Sequence, residues 1–519
     1  MKDADPLPKG CALTLAIIFL ASLIDGLDAS IVTVALPTMS SHFHVSAADG
    51  SWFVFSYVVG IAAFLIPMGK MAKNNRVKKF MVAGTALFCF SSLMCGFSTS
   101  FWMLVGFRLL QGIAAAMTGC VLPSMIVHML PADRKGLGMS IMGAASGMAL
   151  ILGPSLGGFV TDALSWNWIF FINIPICALI IILAMKHIPR DEAPLKDRDP
   201  TLVGGVSAML LIGSLLIMME DLGDPDINTI GRLICAAIVA VSLPVLIWSI
   251  RRDAKRAIIA PKVLKNREYL LVSASFLLCT VVVAGAEFLL PFVFQESWHV
   301  SPTETGVYMS IMSVAMIVAV IPVGRMCDRY GCKWPSAMAV ALRAGFCAAF
   351  IVIAAVKGDV ILMIPALIVF GLSHAFSGTA QPTRMIHHST PSYEDEATNL
   401  MLMINYLASA LGCSLFALVF SLSTADVHIP EDAYMQGFSD TMVFSLVLLA
   451  VAMICTLAVK NKIVRKDDRE ATWRLMLHLS AEPSNPEQIR TMGELSNMDA
   501  CFDQPPVICA NAMHLYNRL

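Results

Sequence analysis

Asp25 and Asp28 stand three residues apart in an otherwise apolar stretch, so on a helix both side chains share one face. Arg108, Glu287, Arg343 and His374 are embedded in other apolar runs. An ionisable group at the centre of a bilayer-spanning helix costs about 2.5–3.5 kcal/mol on insertion scales, so such groups mark sites by default. Two acids on one face, with a guanidinium and a third acid at comparable depth, suit proton exchange and the holding of a charged ligand. Asp25, Asp28, Arg108 and Glu287 are therefore the candidate proton-handling groups. Arg343, His374, Asn405 and Gln111 are the candidate ligand contacts. A second set, Gly69, Gly153, Pro154, Gly157, Gly158, Gly324, Asp328 and Arg329, has the types expected of turns and close helix packing.

The elements that carry these residues are membrane helices. Of 519 residues, 57% are hydrophobic and only 14% charged, against about 25% charged in soluble domains. A bilayer core takes about 20 apolar residues of helix. Spans are expected near 11–37, 50–69, 80–98, 101–123, 137–161, 168–186, 202–220, 229–250, 270–295, 304–324, 335–356, 359–381, 397–421 and 438–459. Runs this long exclude a β-barrel, whose strands would alternate over about 10 residues. The first run, about 26 residues, is too long for a signal-peptide core and reads as a retained helix.

Charge sets the orientation. Alternate connections carry twenty-two Lys and Arg, among them Lys70, Lys78, Arg134, Arg190, Arg252, Arg267, Arg329 and Arg384, whereas the opposite connections carry only Lys357. The basic side is expected in the cytoplasm of a cell membrane, with both termini there. Trp52, Trp102, Trp166, Trp168, Trp298 and Trp334 fall at span ends, where an aromatic belt belongs. The cysteines show neither CxxC pairs nor zinc-finger spacing and read as small apolar residues. No GxxxxGK[ST], HExxH or GxSxG motif appears, so neither ATP coupling nor an enzyme is indicated, and no cofactor or metal is called for. The tail from Lys460 is polar; it has room for a short amphipathic helix around Trp473–Leu479, and its Cys501, Cys509 and His514 read as a loose tail rather than a metal site.

Counted from outer ends at Pro37 and Phe101, Asp28 lies nine residues deep and Arg108 seven. At about 1.5 Å per residue their depths differ by about 3 Å. Glu287, eight residues from Gln295, falls in the same layer. The pair Asp28–Arg108 reads as a fixed buried ion pair or as a conformational latch. Arg343 reads as an anion contact, or as a partner of Glu287 or of helix carbonyls. His374 reads as a proton relay or as a hydrogen-bonded packing residue.

GKMAKNNRVKK, Gly69 to Lys79, and GRMCDRYGCK, Gly324 to Lys333, each follow an apolar span as a basic turn, 255 residues apart. That repeat suggests two six-helix halves with a pair of helices inserted between them. Here the chain resembles the major facilitator superfamily, and within it the 14-span drug:proton antiporters. LDASIVTVALP (Leu27–Pro37), RLLQGIAAA (Arg108–Ala116), LGPSLGG (Leu152–Gly158), WNWIFFINIP (Trp166–Pro175), LPFVFQ (Leu290–Gln295) and SPTETG (Ser301–Gly306) carry the resemblance, in the family's order and spacing. Three positions depart from it: Lys73 stands where the first turn normally has Asp, Arg76 where that turn has a later Gly, and Ala149 where the fifth-helix motif normally has Gly.

The resemblance implies an all-α polytopic membrane protein with the major facilitator fold and fourteen transmembrane helices. Its parts would be a cytoplasmic N-terminus (1–10), an N-terminal half (11–186), two inserted helices with linkers (187–269), a C-terminal half (270–460) and a cytoplasmic tail (461–519). It implies proton-coupled export of amphipathic molecules by a monomer, with a small-molecule substrate, protons and the lipid bilayer as partners and no nucleic acid. Export of one endogenous metabolite or anion, for which Arg343 is the feature, and a transport-deficient sensor, for which Lys73 is the feature, stay open beside it.

Overall fold

A computed structural model describes residues 9–72, 76–130, 135–189, parts of 206–218, 229–252, 266–356, 358–388, 394–424 and 430–461. The secondary structure there is helical. The helices are α1 (Lys9–Phe43), α2 (Ala47–Ala72), α3 (Val77–Gly96), α4 (Phe101–Gly119), α5 (Leu122–Met129), α6 (Lys135–Ala163), α7 (Trp168–Phe171), α8 (Asn173–His187), α9 (Thr229–Arg252), α10 (Arg267–Phe292), α11 (Pro302–Tyr330), α12 (Lys333–Ala355), α13 (Met363–His388), α14 (Glu394–Thr424) and α15 (Pro430–Ala458). Twelve spans among the described residues are long and apolar enough to cross a membrane. They coincide with the expected spans 1–6 and 9–14. Within α9, residues Leu233–Ser249 form a shorter apolar helix where the eighth span is expected. The expected seventh span, Lys73 and the tail residues Trp473, Cys501, Cys509 and His514 lie largely or wholly outside the described residues.

Three expectations about ends are corrected. The second basic turn is mostly helix: α11 runs to Tyr330, so Gly324, Asp328 and Arg329 belong to it, and the turn is confined to Gly331 and Cys332. Gly331 takes φ +79°, a conformation open to glycine at little steric cost. Arg384 is not in a connection but in α13, 3% exposed, where it donates to the carbonyls of Thr456 (2.9 Å) and Val459 (2.8 Å). Hydropathy ends a span at the first charge, but an arginine that finds orphaned C-terminal carbonyls can continue the helix. Trp166 is 3% exposed rather than in a belt, packing on His42 and Phe43 with both ring centroids 5.4 Å away. Trp102, Trp168 and Trp334 are exposed.

Local signals explain several starts. Ser301 and Glu304 form a capping box on α11, with Pro302 in its first turn, which is the physical content of the SPTETG motif. Ser100 caps α4, and Asn266 caps α10 by accepting from the backbone of Glu268 and Tyr269.

The helices from α1 to α8 and those from α10 to α15 make two packed groups, joined by α6 against α11 and by α2 against α14. The ties between the groups concentrate away from the basic connections. Gln295 donates to the carbonyl of Val34 (2.9 Å), Thr303 to Asp162 (2.8 Å), and Ser310 to the carbonyl of Ile151 (2.9 Å) while pairing with Ser155 (2.7 Å). Here α6 touches its neighbours backbone to backbone. A Cβ on Gly158 would strike the carbonyl of Pro302, one on Gly306 the carbonyl of Pro154, one on Gly153 the Ser30 hydroxyl, and one on Gly157 the carbonyl of Ile31. Small residues allow such approach in a membrane, where packing rather than water drives association. Gly324 has open space around it, and Gly69 only an ordinary contact with Cys120.

Gly158→Ala is therefore expected to destabilise the detergent-solubilised protein by about 1–3 kcal/mol through overpacking. Gly324→Ala should be neutral or stabilising by about 0.5–1 kcal/mol, by removing a mid-helix glycine. Thermal unfolding midpoints of the two variants would check this; equal midpoints would refute the distinction.

Candidate functional site

Arg108 is wholly buried and so is Asp28. They form an ion pair of 2.6 Å, Arg108 Nη1 to Asp28 Oδ2. A charge taken out of water must be matched by partners, and the sequence supplies them from five helices. Arg108 also donates to the side-chain oxygen of Gln111 (2.8 Å) and, through Nε, to the carbonyl of Phe53 (2.8 Å). Gln111 Nε2 donates to Asp28 Oδ1 (2.7 Å) and to the Ser92 hydroxyl (2.8 Å). Asn173 Nδ2 donates to the same Asp28 oxygen at 2.7 Å. The Tyr57 ring covers the guanidinium, its centroid 4.3 Å from Cζ. Thus α1, α2, α3, α4 and α8 are tied at one point.

The structure therefore brings Asp28, Arg108 and Gln111 together, and places all three inside the N-terminal helical group rather than on a cavity wall. Ser92 and Asn173 escaped the sequence reading. Both are small polar residues, which the apolar background hides; Asn173 sits within the WNWIFFINIP motif and could have been found there.

Asp25, one helical turn before Asp28, is not part of this network. Its Oδ1 is buried and meets no hydrogen-bond partner. Glu287 is not part of it either, although the depth count puts all three acids in one layer. Depth along a helix says nothing about rotation around the bundle. Glu287 faces His374, with 3.7 Å between Oε1 and Nδ1, and these side chains are 30% and 33% exposed.

Together with Ala29, Ser30, Thr33, Leu150, Pro154, Met309, Met312, Ser313 and Met316, they line a cavity of about 130 Å³. Its walls come from α1 and α6 on one side and from α10, α11 and α13 on the other, so it lies between the two helical groups.

Arg343 is fully buried in the C-terminal group and does not reach this cavity. It donates to the carbonyls of Cys279 (3.0 Å) and Ser373 (3.4 Å) and to the Ser377 hydroxyl (3.1 Å). Among the described residues no ion pair includes it. Of its alternatives, this geometry matches helix carbonyls. Asn405 is half-buried on α14, away from the cavity wall. Among the described residues no cluster of three His, Cys, Asp or Glu could hold a metal.

The Major Facilitator Superfamily model matches residues 18–413. The chain is 27% identical over 330 residues to the multidrug export protein EmrB of Haemophilus influenzae, covering 62% of this chain and 64% of that protein. It therefore spans just under two thirds of the length of that relative. It is 25% identical over 418 residues to the riboflavin transporter RibZ of Clostridioides difficile, covering 79% of this chain and 88% of RibZ. In fold it resembles a bacterial homologue of the human lysosomal transporter Spinster, solved in an inward-facing, occupied conformation. The TM-score is 0.63 at 12% identity, covering 87% of this chain and 97% of that one.

Asp28→Asn should destabilise the protein by about 3–5 kcal/mol, because it leaves Arg108 buried without its counter-charge. The double variant Asp28→Leu with Arg108→Met should recover part of that loss, the remainder reflecting the Gln111 and Asn173 amides left without Asp28. Asn173→Ala should cost about 1–3 kcal/mol. The order of unfolding midpoints in detergent checks all three; a double variant no better than the single one would mean the pair does not act as a unit.

Proposed function

The chain belongs to the Major Facilitator Superfamily, and from that premise we propose that it is a proton-coupled exporter of drugs or other amphipathic small molecules across the cytoplasmic membrane. One observation carries this reading: a carboxylate and an imidazole, Glu287 and His374, face a cavity between the two helical groups. A group at that place can be presented to either side as the halves rock, which is the requirement of alternating access.

Glu287 is the group that exchanges a proton and competes for a cationic or amphipathic substrate. Asp25, with its unpartnered buried oxygen, is the second acid able to take a proton. Asp28 and Arg108 fasten the N-terminal half so that it moves as one body. The excess of Lys and Arg on one set of connections supports a cytoplasmic position for both termini. On that orientation the ties at Asp162–Thr303, Gln295–Val34 and Ser155–Ser310 seal the outside, and the conformation is the one that loads from within. The glycine contacts of α6 make that seal close-packed, as an exchanger needs in order to limit proton leak.

The cavity of about 130 Å³ is well below the ~300–1,000 Å³ of drug-sized sites, so substrate entry requires the halves to separate further. The names of the EmrB relatives support drugs as substrates, and that of RibZ supports a flat heteroaromatic one. An anion-exporting role is not favoured, because the Arg343 guanidinium is occupied by carbonyls away from the cavity.

In proteoliposomes with an imposed pH gradient, Glu287→Gln and Asp25→Asn should each abolish uphill efflux of a lipophilic cationic dye. Glu287→Gln should in addition weaken dye binding, whereas Asp25→Asn should leave dye exchange at equal concentrations in place. Gradient-driven efflux that survives in both variants would overturn the assignment.

A further inference from the structure

We propose that Cys327 and Cys332 form a redox-reactive dithiol at the basic end of the C-terminal half, which a small peroxide closes to a disulfide. Cys327 lies in the last turn of α11, and Cys332 follows Gly331 at the start of α12. Their thiols are hydrogen-bonded to each other. An S–S bond is about 2.05 Å long, so oxidation has only to draw together two sulfurs that already touch. Gly331, at φ +79°, turns the chain between them.

The surroundings set this pair apart from the other cysteines. Cys332 is also hydrogen-bonded to His387, and the Arg384 guanidinium lies near it. The hydrogen bond from Cys327, helped by these two groups of α13, outweighs burial and holds the Cys332 thiol below its ordinary value. The Asp328 carboxylate stands beside Cys327, so the negative sulfur belongs at Cys332. A second hydrogen-bonded pair, Cys89 on α3 and Cys177 on α8, has the carboxylates of Asp25 and Asp28 as its charged neighbours. Cys327 and Cys332 are 7% and 2% exposed, but Asp328, Arg329 and Tyr330 between them are at the surface. The pair is one layer deep, which suits an oxidant little larger than water and shuts out bulky ones.

The chemistry balances with hydrogen peroxide as oxidant. The Cys332 thiolate attacks one oxygen, the O–O bond breaks, the departing hydroxide takes a proton from water, and Cys332 becomes a sulfenic acid. The Cys327 sulfur then attacks Cys332 Sγ. The S–S bond forms, the S–O bond breaks, and the Cys327 proton leaves with the hydroxyl as water. Two thiols lose two electrons and the peroxide gains them. Asn461 already ties the same turn, donating to the Tyr330 carbonyl (3.0 Å) and accepting from the Lys333 amide (3.3 Å). The disulfide adds a covalent tie there, so the oxidation state sets how freely the basic ends of α11 and α12 part. On the orientation proposed above this end faces the cytoplasm, where disulfides are transient and redox-sensing.

The dithiol requires no transport, so its test is independent of the efflux assays. The full chain in detergent is treated with hydrogen peroxide, its remaining thiols are blocked in denaturant, and it is cut with trypsin. Cleavage after Arg325, Arg329 and Lys333 separates the two cysteines, so the disulfide appears as Met326–Arg329 linked to Tyr330–Lys333, two hydrogens lighter than their sum. That linked pair should form and should vanish on reduction, while Cys89 and Cys177 stay thiols. In Cys327→Ser, Cys332 should stop at the sulfenic acid and be captured by dimedone. In Cys332→Ser, capture at Cys327 should be about tenfold less. Absence of the linked pair while other thiols are oxidised, or equal dimedone capture in the two variants, would overturn the proposal.

Discussion

A charge sealed inside an apolar bundle has to be answered where it stands, and the N-terminal half is organised around one such answer. The guanidinium of Arg108 meets a carboxylate, an amide oxygen, a backbone carbonyl and an aromatic face, and Asp28 in turn accepts from Gln111 and Asn173. Apart from Gln111 on α4 itself, the members of the network come from α1, α2, α3 and α8, so satisfying the charge also fixes the mutual register of the helices. Removing any one partner leaves a polar atom stranded, which is why the arrangement acts as a unit.

The C-terminal half meets the same demand differently. Arg343 is equally buried but is held by carbonyls and a hydroxyl, without a carboxylate in contact. Its positive charge is left to be balanced at longer range. The cavity-facing Glu287 lies in the same half and is free to pair with His374. The N-terminal half thus answers its buried guanidinium on the spot and leaves Asp25 outside that network, while the C-terminal half keeps Glu287 at the cavity.

Much of this was legible in the residues. Long apolar runs reveal spans because backbone groups in lipid must be satisfied within the helix. The Asp28–Arg108 meeting follows from depth counting, because both lie on helices that neighbour one another. What could not be read is rotation about the helix axis. Depth alone put Glu287 with Asp28, and only packing shows that they face different neighbours. Arg384 misled for a related reason: a charge reads as a span end until the carbonyls that receive it are known. Ser92 was invisible because small polar residues are frequent in membrane helices and nothing in its type marks it as completing a network, whereas Asn173 had only its place in the WNWIFFINIP motif to mark it.

At its closest approaches the seam where α6 meets α1 and α11 sets glycines against the carbonyls of Ile31, Pro154 and Pro302. Glycine and proline lose no side-chain rotamer freedom when buried. At those contacts no rotamer has to reorder as the surfaces part, so what must be broken there is packing and a few hydrogen bonds, those of Ser30, Ser155, Thr303 and Ser310. Such a joint resembles a plain bearing rather than a set of meshing teeth. It holds the closed position firmly through fit, yet does not commit the molecule to that position by interlocking.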